Sequence, residues 1–205
     1  MKNLTILAIL VCFLFGFTCV ISCSEEKKAI DSKIFKSLNP DKTGITFSNI
    51  LTENDSLNYF TYAYIYMGGG VATGDINNDG LIDVYFTGNQ VANKLYLNKG
   101  NLQFEDITEK AGVSGDDRWY TGVTMVDVNA DGFLDIYCSV SGKFGPKNNQ
   151  LFLNNGDGTF SEKAKEFGID DAGSSVQATY FDYDKDGDLD LYVANYPPTR
   201  FYVSE

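Results

Sequence analysis

Apolar residues along this chain come in short bursts broken by glycine, asparagine and aspartate. Between residues 70 and 107 the bursts predict four strands, at Gly70–Thr73, Leu81–Phe86, Lys94–Leu97 and Gln103–Ile107. Each is rich in Val, Ile, Tyr or Phe and closed off by turn residues, which is how a half-buried strand reads. Helical spacing is scarce. Ile30, Ile34, Phe35 and Leu38 share it ahead of Pro40 and predict no more than a short tether helix.

The strand pattern repeats. "GDINNDGLIDVYF" from Gly74, "VDVNADGFLDIYC" from Val126 and "FDYDKDGDLDLYV" from Phe181 share D-x-[DN]-x-D-G-x-x-D followed by a β-type run. Their first aspartates, Asp75, Asp127 and Asp182, are 52 and 55 residues apart. A second element follows each, "NKLYLNKGNLQF" from Asn93, "NQLFLNNGDGTF" from Asn149 and a partial "TRFYVSE" from Thr199. Self-similarity at this period, with four short strands per unit, predicts an all-β array of propeller blades. The repeats run over about 62–113, 114–169 and 170–205, within a region from residue 44 onward.

The acidic stretches between strands carry the candidate chemistry. Asp182, Asp184, Asp186, Asp188 and Asp190 stand at alternate positions, so their charges repel unless a cation offsets them. In the shared pattern, positions 1, 3 and 5 supply side-chain oxygens, glycine at position 6 allows a sharp turn, and position 9 supplies another carboxylate. The first loop would use Asp75, Asn77, Asp79 and Asp83, with the carbonyl of Leu81 at position 7. The second would use Asp127, Asn129, Asp131 and Asp135 with the carbonyl of Phe133. The third would use Asp182, Asp184, Asp186 and Asp190 with the carbonyl of Asp188. Oxygen donors in an irregular cage suit calcium better than magnesium, so three calcium sites are expected. An EF-hand would end on Glu at position 12. Phe86, Cys138 and Val193 stand there instead, so the loops join strands rather than helices. A plain Asp-Gly hairpin turn with solvated acids is the competing account, weakened by three copies that all keep position 9.

These loops, preceded by small residues in "MGGGVATGD", resemble the FG-GAP or VCBS repeat of integrin-type β-propellers. "TGITFSN", "NKLYLNKGNLQFEDITEKAGV" and "FDYDKDGDLDLYVAN" resemble, in addition, bacterial relatives of cartilage acidic protein, which often carry a downstream ASPIC/UnbV region. The resemblance spans about residues 43 to 205. It implies a propeller of seven blades, of which about three are present here, with calcium in the loops and display outside the cell. It implies no defined catalytic residues.

The N-terminus agrees with export. Lys2 precedes an apolar run from Leu4 to Ile21, then "VISC" at 20–23, which is similar to a bacterial lipobox with Cys23 as the lipidated residue. Residues 1–22 are then a signal peptide and 23–43 a tether. Eighteen apolar residues are also just long enough for a membrane anchor, but "SEEKK" after Cys23 is not a usual stop-transfer flank. The expected location is the outer membrane or cell surface, with membrane contact through the lipid alone.

Composition trims the list of functions. Net charge is −12, which argues against nucleic acid as a partner. There is no histidine, so Ser-His-Asp or Cys-His catalysis and His metal ligation are excluded. The patterned acids are assigned to calcium, and no acid/base pair stands outside them. The chain therefore reads as a binding or adhesion module for an extracellular protein or glycan, not as an enzyme. A polysaccharide-active enzyme working in a propeller cleft and a purely structural spacer are the alternatives. Trp119 and Tyr120 are candidates for ligand contact. "GGGVATG" at 68–74 reads as close backbone packing rather than a phosphate loop, since it opens no helix. Cys138 reads as a small core residue. Finally, Phe47 in "ITFSNIL" (45–51) matches Phe104 and Phe160, so that segment is expected to act as a fourth blade strand. It would be loose or borrowed by the third blade in what is then the N-terminal part of a longer propeller lacking roughly four blades.

Overall fold

The structure is a computed structural model that describes residues 35–196. The apolar run at 4–21, Cys23, most of the tether and the partial strand at 199–205 lie outside the described residues. Among the described residues, no helix is long and apolar enough to cross a membrane.

Three antiparallel sheets follow one another in sequence. The first is β1 (Val71–Gly74), β2 (Asp83–Phe86), β3 (Lys94–Asn98) and β4 (Phe104–Asp106), paired in that order. The second is β5 (Trp119–Val126), β6 (Asp135–Ser141), β7 (Gln150–Asn154) and β8 (Phe160–Glu162), again in chain order. The third pairs β9 (Ser175–Phe181) with β10 (Asp190–Asn195). Up-and-down sheets of this kind are propeller blades. The described blades do not close into a ring. The predicted strands are present, with ends shifted by one residue in β1, β3 and β4 and by two in β2, which starts at Asp83 because Leu81 and Ile82 belong to the acidic loop.

The period-two alternation explains how the blades stack. On β6 every residue is buried, because each face has a neighbour. Ile136, Cys138 and Val140 join Tyr85, Leu95 and Val123 in a core between the first and second blades. Tyr137, one residue out of phase, joins Leu151, Ala164 and Ala178 in a core between the second and third. Cys138 is a buried free thiol, as its setting predicts. Glycine brings the inner strands together. A Cβ on Gly70 would fall 2.8 Å from Val123 N, and one on Gly122 would fall 2.4 Å from Val176 O.

Two expectations are corrected. Residues 45–51 form no strand and do not join the third blade; they cover the outer face of the first. Phe47 stacks on Phe86 with centroids 5.0 Å apart, and Thr46 N–H donates to Tyr96 Oη at 3.3 Å. Asn49 Nδ2 donates to Asn89 Oδ1 at 2.6 Å. Among the described residues no other blade covers this face of Phe86 and Tyr96, and apolar burial draws the segment there without a ladder. Of the residues expected in a tether helix, Ile30 and Ile34 lie outside the described residues. Phe35 and Leu38 are not helical; instead a single turn, α1 (Pro40–Thr43), starts at the proline. Proline suits a first helical position, and Asn39 Oδ1 caps the turn by accepting from Asp41 N. One turn went unread in the sequence, α2 (Thr108–Ala111), closed by Gly112 at φ 73°.

Candidate metal centres in the strand-connecting loops

Each acidic loop joins the first and second strands of its blade, and all three share one internal frame. Position 1 accepts backbone N–H groups from further round the loop. Asp75 takes Asp79 N at 3.1 Å and Gly80 N at 2.7 Å. Asp127 takes Asp131 N at 3.1 Å and Gly132 N at 2.8 Å, and Asp182 takes Gly187 N at 3.3 Å. The position-5 carboxylates of Asp79, Asp131 and Asp186 accept the N–H of Leu81, Phe133 and Asp188 at 2.8, 2.9 and 3.1 Å. The turn needs positive φ twice. Glycine meets it at position 6, and position 4 carries Asn78, Ala130 and Lys185 at φ 58°, 57° and 66°. Asparagine tolerates that region best. Asn78 has a further use, since its Nδ2 donates to Gly132 O at 2.9 Å and ties the first loop to the second.

Position 9 does something the sequence did not reveal. Asp83 is fully buried, and both its oxygens hold the backbone: Oδ2 accepts Ile76 N at 3.0 Å and Oδ1 accepts Asn98 N at 2.8 Å. Asp135 repeats this with Val128 N at 2.9 Å and Asn154 N at 2.8 Å. The carboxylate thus latches the loop to the third strand of its own blade. Burial pushes both carboxyls above the usual range, while the two amide donors pull the other way. Asp190 accepts Tyr183 N at 2.8 Å.

The third loop gathers a trio. Asp182, Asp184 and Asp190 each place a carboxylate oxygen within 4.8 Å of the others, with Asp182 and Asp184 exposed and Asp190, at the start of β10, partly covered. Oxygens bound to one calcium at about 2.3–2.6 Å stand no more than about 5 Å apart, so this set fits such an ion. Asp186 stays outside the trio. The Asp188 N–H holds its carboxyl below the usual range, while hydrogen bonding to Asp186 and its charge push Asp188 up. Those opposed shifts are the mark of crowded like charges. In the first two loops position 3 is an amide. Asn77 and Asn129 donate Nδ2 to Asp79 and Asp131 at 3.1 and 2.8 Å, and accept backbone N–H through Oδ1. Among the described residues, no equivalent carboxylate trio forms there.

Trp119 and Tyr120 are not surface residues. Trp119 is 7% exposed and packs with Leu57 and Ile65, and Tyr120 is fully buried with its hydroxyl on Gln150 Oε1 at 2.5 Å. Their place on β5 drives both rings inward: Tyr120 is sealed off, and Trp119 keeps only a small exposed part, in the lining of a cleft beside Leu57 and Asp117. Exposed rings are found elsewhere, among them Tyr59, Phe60 and Tyr66 in the aromatic run 59–66. Its alternation resembles a strand, which hid it, but these residues fold as successive turns.

Comparison with known proteins agrees with this geometry. The FG-GAP-like repeat matches the chain over residues 60–138 and 139–193. Cartilage acidic protein 1 of Homo sapiens is 34% identical over 112 residues, which is 52% of this chain and 16% of that protein. The Xenopus tropicalis protein of that name is 34% identical over 134 residues, 63% of this chain and 20% of its own length. The Mus musculus protein is 31% identical over 137 residues, 64% and 19% respectively. The chain therefore spans a fifth or less of the length of these curated relatives. Four-stranded sheets in series, an acidic loop opening each, and a family match across both repeats lead to one conclusion: this chain belongs to the FG-GAP-like repeat family.

Proposed function

We propose that this chain is an exported, lipid-anchored surface module whose blades are stiffened by calcium and which binds an extracellular protein or glycan. FG-GAP repeats suggest a protein-binding or adhesion module. The lipobox-like "VISC" supports export with Cys23 as the anchor, at the outer membrane or cell surface. The proposal assigns no catalytic role: the sequence has no histidine, and its patterned acids are taken here as calcium ligands.

The Asp182, Asp184 and Asp190 trio is the observation that carries the calcium reading. When bound, a calcium ion neutralises the crowded carboxylates and crosslinks the loop. Asp182, Asp184 and Asp190 would hold it in the third loop. In the other two loops the position-9 carboxylates are taken up by backbone amides, so positions 1, 3 and 5 would hold the ion there: Asp75, Asn77 and Asp79, and Asp127, Asn129 and Asp131. Ligand charge helps set affinity, so the third site is the tightest. Calorimetric titration of calcium into the purified protein tests the ranking. Asp184→Ala is expected to remove the strongest binding phase and Asp79→Ala a weaker one. Loss of the strongest phase in Asp79→Ala would reverse the assignment. A glycan array and a pull-down, each with and without calcium, test for the partner.

A further inference from the structure

A cleft of about 560 Å³ opens between the turns at 59–64 and the loop that follows β6. Its volume lies within the range of small-ligand sites, about 300–1,000 Å³. One wall is aromatic. Phe60 is 95% exposed and Tyr59 is 56% exposed, their rings edge to face at 5.9 Å. Deeper in, the rings are fixed. Tyr64 leans on Tyr196 at 4.6 Å, and the Tyr62 and Tyr196 hydroxyls are hydrogen-bonded at 3.0 Å. The opposite wall carries Lys143 and Lys147, and no carboxylate is among the described lining residues. Among the described residues neither lysine has a salt-bridge partner. Lys143 Nζ donates to Ser56 O at 3.3 Å and lies over the Phe144 ring, 5.2 Å from its centroid, so its charge is held in place without a carboxylate to neutralise it. In a chain of net charge −12, two ammonium groups facing no acid among the described lining residues are a local reversal of sign.

We propose that this cleft binds an anionic oligosaccharide, with Tyr59 and Phe60 stacking on sugar rings and Lys143 and Lys147 holding carboxylate or sulfate groups. Flat exposed rings match the C–H faces of a pyranose, and the lysines act as point charges for its acidic substituents. An acidic peptide fits less well. The lining residues lie in turns and loops, so the cleft offers no strand edge on which an extended peptide could pair. The proposal rests on the binding-module reading and names its site and ligand class.

The protein carries its own reporter. Trp119 is the single tryptophan, and the ring of Tyr62, a lining residue, meets it edge to face at 5.6 Å. Titrating hexagalacturonate, its methyl ester, a sulfated dextran oligomer and hexaglutamate, with Trp119 fluorescence and calorimetry as readouts, tests the assignment. At least one charged sugar is expected to bind saturably and about tenfold or more tighter than the methyl ester or the peptide, a difference of about 1.4 kcal/mol. Binding should weaken as salt rises. Phe60→Ala, at an exposed position, should weaken it about tenfold, and Lys143→Ala with Lys147→Ala should abolish the preference for charge. Which charged arm binds tells carboxylate from sulfate. Equal binding of the ester, tighter binding of the peptide, no saturable binding of either charged sugar, or full affinity in Phe60→Ala overturns the cleft assignment. A partner found by array or pull-down that binds these variants as it binds the wild type would overturn it too, while leaving the module reading in place.

Discussion

Asp83 holds two backbone amides with one buried carboxylate, and its removal strands both. Hydrogen bonds to a charged group are each worth about 1.5–3 kcal/mol, and an unmet buried donor costs about as much again as it gains. Asp83→Ala is therefore expected to destabilise the protein by about 3 kcal/mol even in chelator, measured by urea unfolding. A loss confined to calcium-loaded protein would assign Asp83 to the ion alone. This double use explains why position 9 was only half legible. Aspartate at that position reads as a ligand in sequence, and nothing in the pattern shows that its oxygens reach Asn98 on the third strand. Trp119 and Tyr120 misled for a related reason. Bulky aromatic rings read in sequence as candidates for ligand contact, but β5 begins at Trp119 and buries both.

Among the elements, the four-strand repeat was readable because each strand alternates and each loop is marked by D-x-[DN]-x-D-G. Blade order followed from the short connections. Segment 45–51 was not readable, since matching Phe47 to Phe104 identifies a pattern and not a partner. The uncovered face of the first blade decided its place. The glycine-rich approach to β1 was read correctly as close packing, and Gly122 on β5 obeys the same constraint. An added Cβ there would meet Gln177 Oε1, which can move, and the Val176 carbonyl at 2.4 Å, which cannot without shifting β9. Gly122→Ala should cost about 1–3 kcal/mol as overpacking between the second and third blades. Chemical denaturation would measure it, and an unchanged midpoint would mean that the blades are not packed this closely.

At the scale of the whole molecule, two interblade cores supply the apolar stabilisation, and the acidic loops oppose it with charge. Tyr85 and Tyr137 each face the following blade, with hydroxyls on Val113 O at 2.6 Å and Ile169 O at 2.8 Å. Their counterpart Tyr192 is 62% exposed on the last described strand. Because each loop connects the first two strands of a blade, its electrostatic cost falls on the blade itself. An ion bound only by the folded protein adds RT ln(1 + [L]/Kd), about 2.7 kcal/mol at a hundredfold excess over Kd. The direct test is thermal unfolding of the purified protein, first freed of metal in chelator and then with calcium restored. The account predicts a lower melting temperature in chelator that calcium restores in full, with a smaller restoration in Asp184→Ala. Coincident melting curves with and without calcium, from protein shown to be metal-free at the start, would contradict it.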